Sequence, residues 1–132
     1  FSFFFVGMNG LIPVMIGGAL GAGSRYIIGQ AVAHRTLSAF PWATLGINIG
    51  GSFLMGLIFA WFARGGMSEN ARLFLAVGLL GGFTTFSSFS MEFWMLFERG
   101  QSLQAAGYVA ASTLGAIAAC GVAITLVRQV AP

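Results

Sequence analysis

The sequence predicts an all-α membrane protein with four transmembrane helices, the third broken at mid-membrane, assembled as an antiparallel dual-topology homodimer. Its 132 residues are 58% apolar and only 7% charged, whereas soluble domains carry about 25% charged residues. Mean hydropathy is +0.90. The apolar residues fall in four runs, each near the roughly 20 residues that cross a hydrocarbon core. We expect an integral, multi-pass protein of the plasma (inner) membrane.

The four predicted spans form a single transmembrane domain over residues 11–128. They cover residues 11–32, 41 or 42 to 62, 71–97 and 102 or 103 to 127. Pro41 suits the first turn of the second helix, and Ser68 suits the N-cap of the third. Residues 1–10 are an N-terminal segment of uncertain origin. Residues 1–7 lack the basic region and cleavage site of a signal peptide, and Met8 suits a start, so we expect an altered or truncated terminus.

Small residues recur at four-residue spacing, which lets membrane helices approach closely. Gly17 and Gly21 do so in the first span. The second and fourth spans carry further examples: Gly46 with Gly50, Ser52 with Gly56, and the stripe Gly107, Ala111, Gly115 and Ala119. These faces predict tight helix packing and carry no information about a transported substrate.

The arginines predict how the chain inserts. With four spans, both termini lie on one side of the membrane. The arginines then divide almost evenly, with Arg64, Arg72 and Arg128 on one side, Arg35 and Arg99 on the other, and Arg25 inside the first span. The positive-inside rule needs a clear excess to fix a direction. Without one, the chain inserts both ways, and two opposite copies can pair about an axis in the plane of the lipid bilayer.

Residues 81–84, Gly-Gly-Phe-Thr, are expected to break the third span near its middle. Unpaired backbone groups in hydrocarbon cost several kcal/mol each. A break therefore persists only where it is buried in protein, lines a water path or holds an ion. Phe83, Phe86 and Phe89 are expected to lie near one another beyond it. Such a stripe is commonly core or lipid-facing, but interleaved threonines and serines favour a partly wet path, where ring edges can meet an anion.

Several polar residues within the spans are candidates for binding. Asn48, with Thr44 on the same helix face, forms either a helix–helix hydrogen bond or a donor facing an anion. Tyr108 and Ser112 offer a short row of hydroxyl donors on the fourth span.

Two charged residues also lie within the spans. Glu92 is a functional candidate as an intramembrane acid, although its position also fits an acid that faces water or a vestibule. Arg25 is expected either to satisfy carbonyl groups at a subunit contact or to supply positive potential near an anion path.

The sequence argues against enzymatic and nucleic-acid functions. It has one histidine, one cysteine (Cys120) and no aspartate, and it contains no nucleophile motif, phosphate-binding loop or metal-ligand cluster. The net charge of +3 comes from separate arginines that make no basic patch.

Three motifs together resemble the Fluc family of fluoride channels. They are Gly21-Ala-Gly-Ser-Arg-Tyr26, Gly46-Ile-Asn-Ile-Gly-Gly-Ser52 and Gly81-Gly-Phe-Thr-Thr-Phe-Ser-Ser-Phe-Ser90. The third is specific, the other two are supportive, and the resemblance covers nearly all of the chain from Met8. It implies a dual-topology dimer with two pores. The expected fluoride-pore residues are Thr44, Asn48, Phe86, Ser88, Phe89, Tyr108 and Ser112.

The resemblance also implies roles for single residues. Phe86 and Phe89 match paired phenylalanines whose ring edges contact fluoride, and Ala116 continues the track of Tyr108 and Ser112 without a hydroxyl. Arg25 matches an arginine of the first helix. A structural sodium ion at the dimer centre is expected to bind backbone carbonyl groups, which here come from both copies of two residues, Gly81 and Thr84.

The expected function is passive export of fluoride. Neutral donors and ring edges can replace the water around fluoride weakly at several places, which allows exit as well as binding. One alternative is a small dual-topology multidrug/proton exporter, but that class needs an acid, typically in the first helix, where this chain has Arg25. The other is a non-transporting membrane scaffold subunit, which explains the glycines but not the run of hydroxyl and phenyl groups.

Overall fold

The computed structural model describes Phe3 and residues 8–130, and every regular element within them is helical. The elements are a 3-10 helix at Met8–Gly10, α1 at Leu11–Ala33, α2 at Trp42–Ala63, α3 at Glu69–Arg72, a π-helix at Leu73–Leu80, α4 at Gly81–Phe83, α5 at Ser87–Glu98 and α6 at Ser102–Val130. Most of the predicted N-terminal segment lies outside the described residues.

Four stretches are long and apolar enough to cross a membrane. They are Leu11–Ala33, Trp42–Ala63, Glu69–Glu98 and Ser102–Val130. The prediction of an all-helical protein with four spans is therefore confirmed. At the start of the third span, the Ser68 hydroxyl accepts a hydrogen bond from Ala71 N at 3.2 Å, which is the N-cap that the sequence predicted.

The third span consists of several helical pieces. In the π-helix, the Gly81 N–H donates to Ala76 O, five residues earlier. Gly81 and Gly82, which were predicted to begin the interruption, are helical. The backbone leaves helical geometry only at Thr84, with φ −79° and ψ 154°, and α5 begins at Ser87. The interruption therefore falls later in the chain than propensity alone predicted.

The glycines of the third span serve close packing against α1. A Cβ atom on Gly82 would lie 2.6 Å from Gly18 O, and one on Gly78 would lie 2.8 Å from Val14 O. On α1, a Cβ on Gly21 would lie 2.8 Å from Phe83 N. The two backbones thus touch directly, as the small-residue spacing of α1 predicted. This contact holds Gly82 in a helix despite its poor intrinsic propensity.

α2 and α6 form a second closely packed pair. A Cβ on Gly56 would lie 3.0 Å from the Ala123 Cβ, and one on Gly115 would lie 2.8 Å from Ile49 Cδ1. Other glycines that were predicted to pack closely have no close neighbour on another of the described helices. Within the described part of the chain, a Cβ placed on Gly46, Gly50 or Gly107 would have no atom within 4 Å beyond its chain neighbours and its own helix backbone. The predicted stripe on the fourth span is therefore not a continuous packing face within one protomer.

Candidate functional site

Asn48 on α2 pairs with the interrupted backbone of the third span. Its Nδ2 donates to Thr85 O at 2.9 Å, and Thr85 N donates to its Oδ1 at 2.8 Å. The carboxamide thus satisfies both polar groups of a residue that lies outside the helices. Of the two interpretations of Asn48, a structural hydrogen bond between spans is present, although its partner is the interrupted backbone and not another helix. The second Nδ2 proton makes no hydrogen bond within the described residues and remains available as a donor.

Side chains satisfy other backbone groups around the interruption. The Thr85 hydroxyl accepts from Ser88 N at 3.2 Å and so satisfies one of the free N–H groups in the first turn of α5. Arg25 Nε donates to Gly82 O at 3.3 Å. Arg25 therefore satisfies a carbonyl group, as the sequence suggested, and this carbonyl belongs to its own protomer.

Two carbonyl groups lose their helical donors at the same place. The Thr85 N–H donates to Asn48 and not to Gly81 O, four residues earlier. The Ser88 N–H likewise donates to a threonine hydroxyl and not to Thr84 O. Among the described residues, the Gly81 and Thr84 oxygens therefore have no helical donor and can accept another ligand.

Glu92 on α5 joins three helices through its carboxylate. Thr44 Oγ1 on α2 donates to Oε2 at 3.0 Å, and the Tyr108 hydroxyl on α6 donates to Oε1 at 3.1 Å. Tyr108 is fully buried. Each carboxylate oxygen thus has a neutral donor, which lowers the cost of holding an acid in an apolar bundle.

Glu92 also lines two cavities, which reconciles the two interpretations of this acid. One cavity of about 460 Å³ lies beside the α1–α2 connection and includes Thr36, Ser38 and Arg99. The other, of about 200 Å³, includes Arg25 and Ser88. Glu92 is therefore both an acid within the bundle and part of the wall of a vestibule.

A third cavity, of about 290 Å³, lies among α2, α5 and α6, and we call it the central cavity. Its polar lining residues are Asn48, Ser52, Thr84, Thr85, Ser112 and Thr113. Ser112 is 5% exposed, and its hydroxyl oxygen has no hydrogen-bond partner in the described structure. A buried, unpaired donor is costly, so its presence in a cavity wall indicates a place for a polar or anionic guest.

Two of the three phenylalanines meet at the central cavity. The Phe86 and Phe89 rings lie 5.5 Å apart between centroids, and Phe89 lies 5.1 Å from the Tyr108 ring. Phe83 does not join them, contrary to the expectation from spacing. Its ring lies near Gly51 and lines a different cavity, beside α1 and α2. The reason is that the chain changes direction at Thr84, so a three-residue spacing no longer aligns residues before and after this point.

The structure thus separates the sequence candidates into two groups. Asn48, Thr84, Phe86, Phe89 and Ser112 line the central cavity. The residues around the smaller cavity are Arg25, Thr44, Ser88 and Glu92. The Tyr108 hydroxyl donates to Glu92 beside the smaller cavity, and the Tyr108 ring contacts Phe89 at the central cavity. Gly81 lines neither of these two cavities.

Sequence reasoning missed two residues of this arrangement. Thr85 lines both cavities and is the partner of Asn48. Ser52 lies four residues after Asn48, so the helical period of α2 could have pointed to it.

Comparison with known proteins places this site in a family context. A family model described as "CrcB-like protein, Camphor Resistance (CrcB)" matches residues 12–124. A protein of Sphingopyxis alaskensis named "Fluoride-specific ion channel FluC" is 60% identical over 123 residues, which cover 92% of this chain and 98% of the relative. A protein of the same name from Mesorhizobium japonicum is 47% identical over 122 residues, or 92% of this chain and 98% of the relative.

Proposed function

This chain belongs to the CrcB-like family, and on that premise we propose that it is a fluoride-selective channel. Passive export of fluoride down its gradient runs through two pores of an antiparallel homodimer. The family resemblance of the sequence motifs is confirmed by the match over residues 12–124. The relatives named above are fluoride-specific ion channels, and the chain spans nearly their whole length.

The observation that carries this proposal is the set of neutral donors in the central cavity. The cavity offers the unpaired Ser112 hydroxyl and a free Asn48 N–H. Among the described residues, no arginine lines it, so none of them binds an anion there with a full opposite charge. Fluoride needs replacement of its water by polar groups, and weak contacts at several places permit release. The edges of the Phe86 and Phe89 rings add positive potential.

The proposed path runs from the vestibule beside Glu92 to the central cavity. Thr85 lines the cavities on both sides of its bond with Asn48. Thr44 and Tyr108 donate to Glu92, which orients both hydroxyls. Each has a single proton, so either hydroxyl would contact a passing ion only by turning that proton away from the carboxylate. Arg25 lines the smaller cavity and supplies positive potential that offsets the carboxylate.

An antiparallel partner would complete the pore wall. Phe86 is 79% exposed in one protomer although it borders the central cavity. A second copy would cover this ring and close the cavity. The nearly even distribution of arginines supports insertion in both directions.

A structural sodium ion fits the carbonyl groups freed at the interruption. Gly81 O and Thr84 O have lost their helical donors, and a hard cation prefers such oxygens. In the proposed dimer, these two carbonyls from each copy would hold the ion. It would stabilise the junction between protomers at mid-membrane and take no part in fluoride movement.

A halide panel in liposomes containing only this protein tests the function. Efflux of fluoride without efflux of chloride is expected. If neither halide passes, or if chloride passes as fast as fluoride, the proposal is wrong. A pH gradient that drives uptake of an organic cation would instead favour the exporter, and an electrically silent, impermeable preparation would favour the scaffold subunit.

A further inference from the structure

Ser52 on α2 has the geometry of an additional pore residue. It lines the central cavity one helical turn beyond Asn48, so that Thr44, Asn48 and Ser52 form one polar stripe at four-residue spacing. We propose that the Ser52 hydroxyl is a further fluoride-binding donor, and that it serves the level of the pore where the hydroxyl row of α6 ends. This inference rests on the proposed function and adds a residue to the site.

The register between α2 and α6 fixes the level of Ser52. The two helices lie side by side and run in the same direction. Thr44 and Tyr108 meet at one carboxylate, and three steps of four residues further on, Gly56 lies against the Cys120 carbonyl. Equal steps along both helices therefore bring Ser52 level with Ala116. The cavity linings agree, because both residues line the central cavity and an adjoining cavity of about 210 Å³.

At this level α6 offers no donor. Its row of hydroxyls runs through Tyr108 and Ser112 and then reaches Ala116. The third span contributes Thr84, which lines the same two cavities, but the Thr84 hydroxyl donates to Leu80 O at 2.9 Å. Ser52 is thus the hydroxyl left to meet an ion here.

The Ser52 hydroxyl is free to do so. Hydroxyls within membrane helices commonly donate to the carbonyl four residues earlier, and Thr125 does so here, to Gly121 O at 2.9 Å. In the described structure, Ser52 forms neither that bond nor any other hydrogen bond. Its side chain is half-buried and lies in the wall of the central cavity.

The need for a donor at this level follows from the spacing. Four residues of helix advance the path by about 6 Å, which is too far for a bare fluoride ion to remain in contact with Asn48. Beyond Ser52, the adjoining cavity is lined by Met55, Ile117 and Cys120, none of which replaces water around a hard anion. Without the Ser52 hydroxyl, the ion would cross this step with few polar contacts.

The test measures fluoride efflux from liposomes containing Ser52→Ala. Loss of one hydrogen bond to an ion is expected to slow efflux about tenfold, while selectivity over chloride persists. The double variant Ser52→Ala with Ala116→Ser returns a hydroxyl to the same level from the opposite helix, and it is expected to restore efflux to within about threefold of the parent protein. Thr125→Ala is the matched control, because it removes a hydroxyl occupied by its own backbone.

Each outcome decides between the possibilities. If the parent protein passes fluoride and Ser52→Ala passes it at the same rate, the role of Ser52 is overturned and the channel function stands. A slow Ser52→Ala variant that Ala116→Ser fails to rescue overturns the assignment of the donor to this level. If Ser52→Ala does not purify as the parent oligomer, Ser52→Gly replaces it with the same expectation. Parent protein that passes no fluoride removes the channel function and this inference together.

Discussion

Asn48 and Thr85, 37 residues apart in the chain, exchange two hydrogen bonds of 2.9 and 2.8 Å between a side-chain amide and a peptide unit. A single side chain therefore replaces the helical partners that Thr85 lacks. The same amide lines the central cavity. If the proposed channel function is correct, the hydrogen bonding of the Thr85 backbone and the binding of the anion depend on one residue, and substitutions at Asn48 will affect both.

Asn48→Asp is expected to abolish fluoride efflux. The carboxylate cannot donate to Thr85 O, and a negative charge about 4 Å from the path opposes an anion by several kcal/mol. Efflux measured with a fluoride electrode should fall at least about a hundredfold. Asn70→Asp, the same change at an exposed position near the start of the third span, serves as the control. Retained efflux in Asn48→Asp would exclude this side chain from the pathway.

Phe86→Ile and Phe89→Ile are each expected to slow efflux about three- to tenfold, because isoleucine keeps apolar volume but lacks the positive ring edge. The proposed dimer should elute unchanged on gel filtration. Phe59→Ile is a suitable control, since Phe59 is 40% exposed and lines none of the cavities described above. Parent rates in both ring variants would remove the aromatic pair from the pore.

Tyr108→Phe should destabilise the fold. The change leaves Glu92 Oε1 without its buried donor, at an expected cost of about 1–3 kcal/mol in the free energy of unfolding. Titration of the detergent-solubilised protein with a denaturing detergent measures this cost. Tyr26→Phe removes a hydroxyl from a side chain that is 67% exposed and should change stability by less than about 0.5 kcal/mol. Equal effects of the two changes would mean that the bond to Glu92 contributes nothing.

Gly21→Ala should separate α1 from the third span. The new methyl group would lie 2.8 Å from Phe83 N, and such overpacking costs about 1–3 kcal/mol. Gly23→Ala lies two residues away on the same helix, where the new methyl group would meet no atom within 4 Å beyond its chain neighbours and its own helix backbone. Its higher helix propensity should therefore leave stability equal or improved by up to about 1 kcal/mol. Unfolding titrations that rank the variants in the opposite order would contradict the contact.

Replacement of sodium by N-methylglucamine at constant ionic strength should lower the thermal midpoint of the purified protein. A bound ion stabilises the state that binds it in proportion to the logarithm of its concentration, so the midpoint should rise again as sodium is returned. Potassium controls for ionic strength. A thermal midpoint that does not change with sodium concentration would argue against a cation at the Gly81 and Thr84 carbonyl groups.

The sequence predicted the four spans well because length and hydropathy determine them locally. It also singled out Asn48, since an amide in an apolar run is unusual. It could not identify Thr85 as the partner, because that choice depends on how two spans meet in space. Propensity misplaced the start of the interruption, since Gly82 is held in a helix by backbone contact with Gly18, a tertiary effect that overrides local preference.

Spacing failed in a related way at Phe83. Residues three apart share a helix face only while the helix continues. The extended backbone at Thr84 ends the helix after Phe83, so Phe83 does not share a face with Phe86 and Phe89. Ser52 was interpreted only as a small packing residue because its size was apparent in the sequence, whereas its unoccupied hydroxyl and its position opposite Ala116 depend on the register of α2 against α6.

The π-helix at Leu73–Leu80 has a consequence for how this protein can change in length. A π turn holds about one residue more than an α-helical turn, so removal of one residue from this stretch would be absorbed by a return to ordinary α-helical pitch, and Thr85 would keep nearly the same facing. Insertion of one further residue has no such outlet and would turn everything after it by about 100° around the span axis, away from α2. The stretch is therefore a reserve of one residue, and a single-residue deletion there should be tolerated far better than a single-residue insertion.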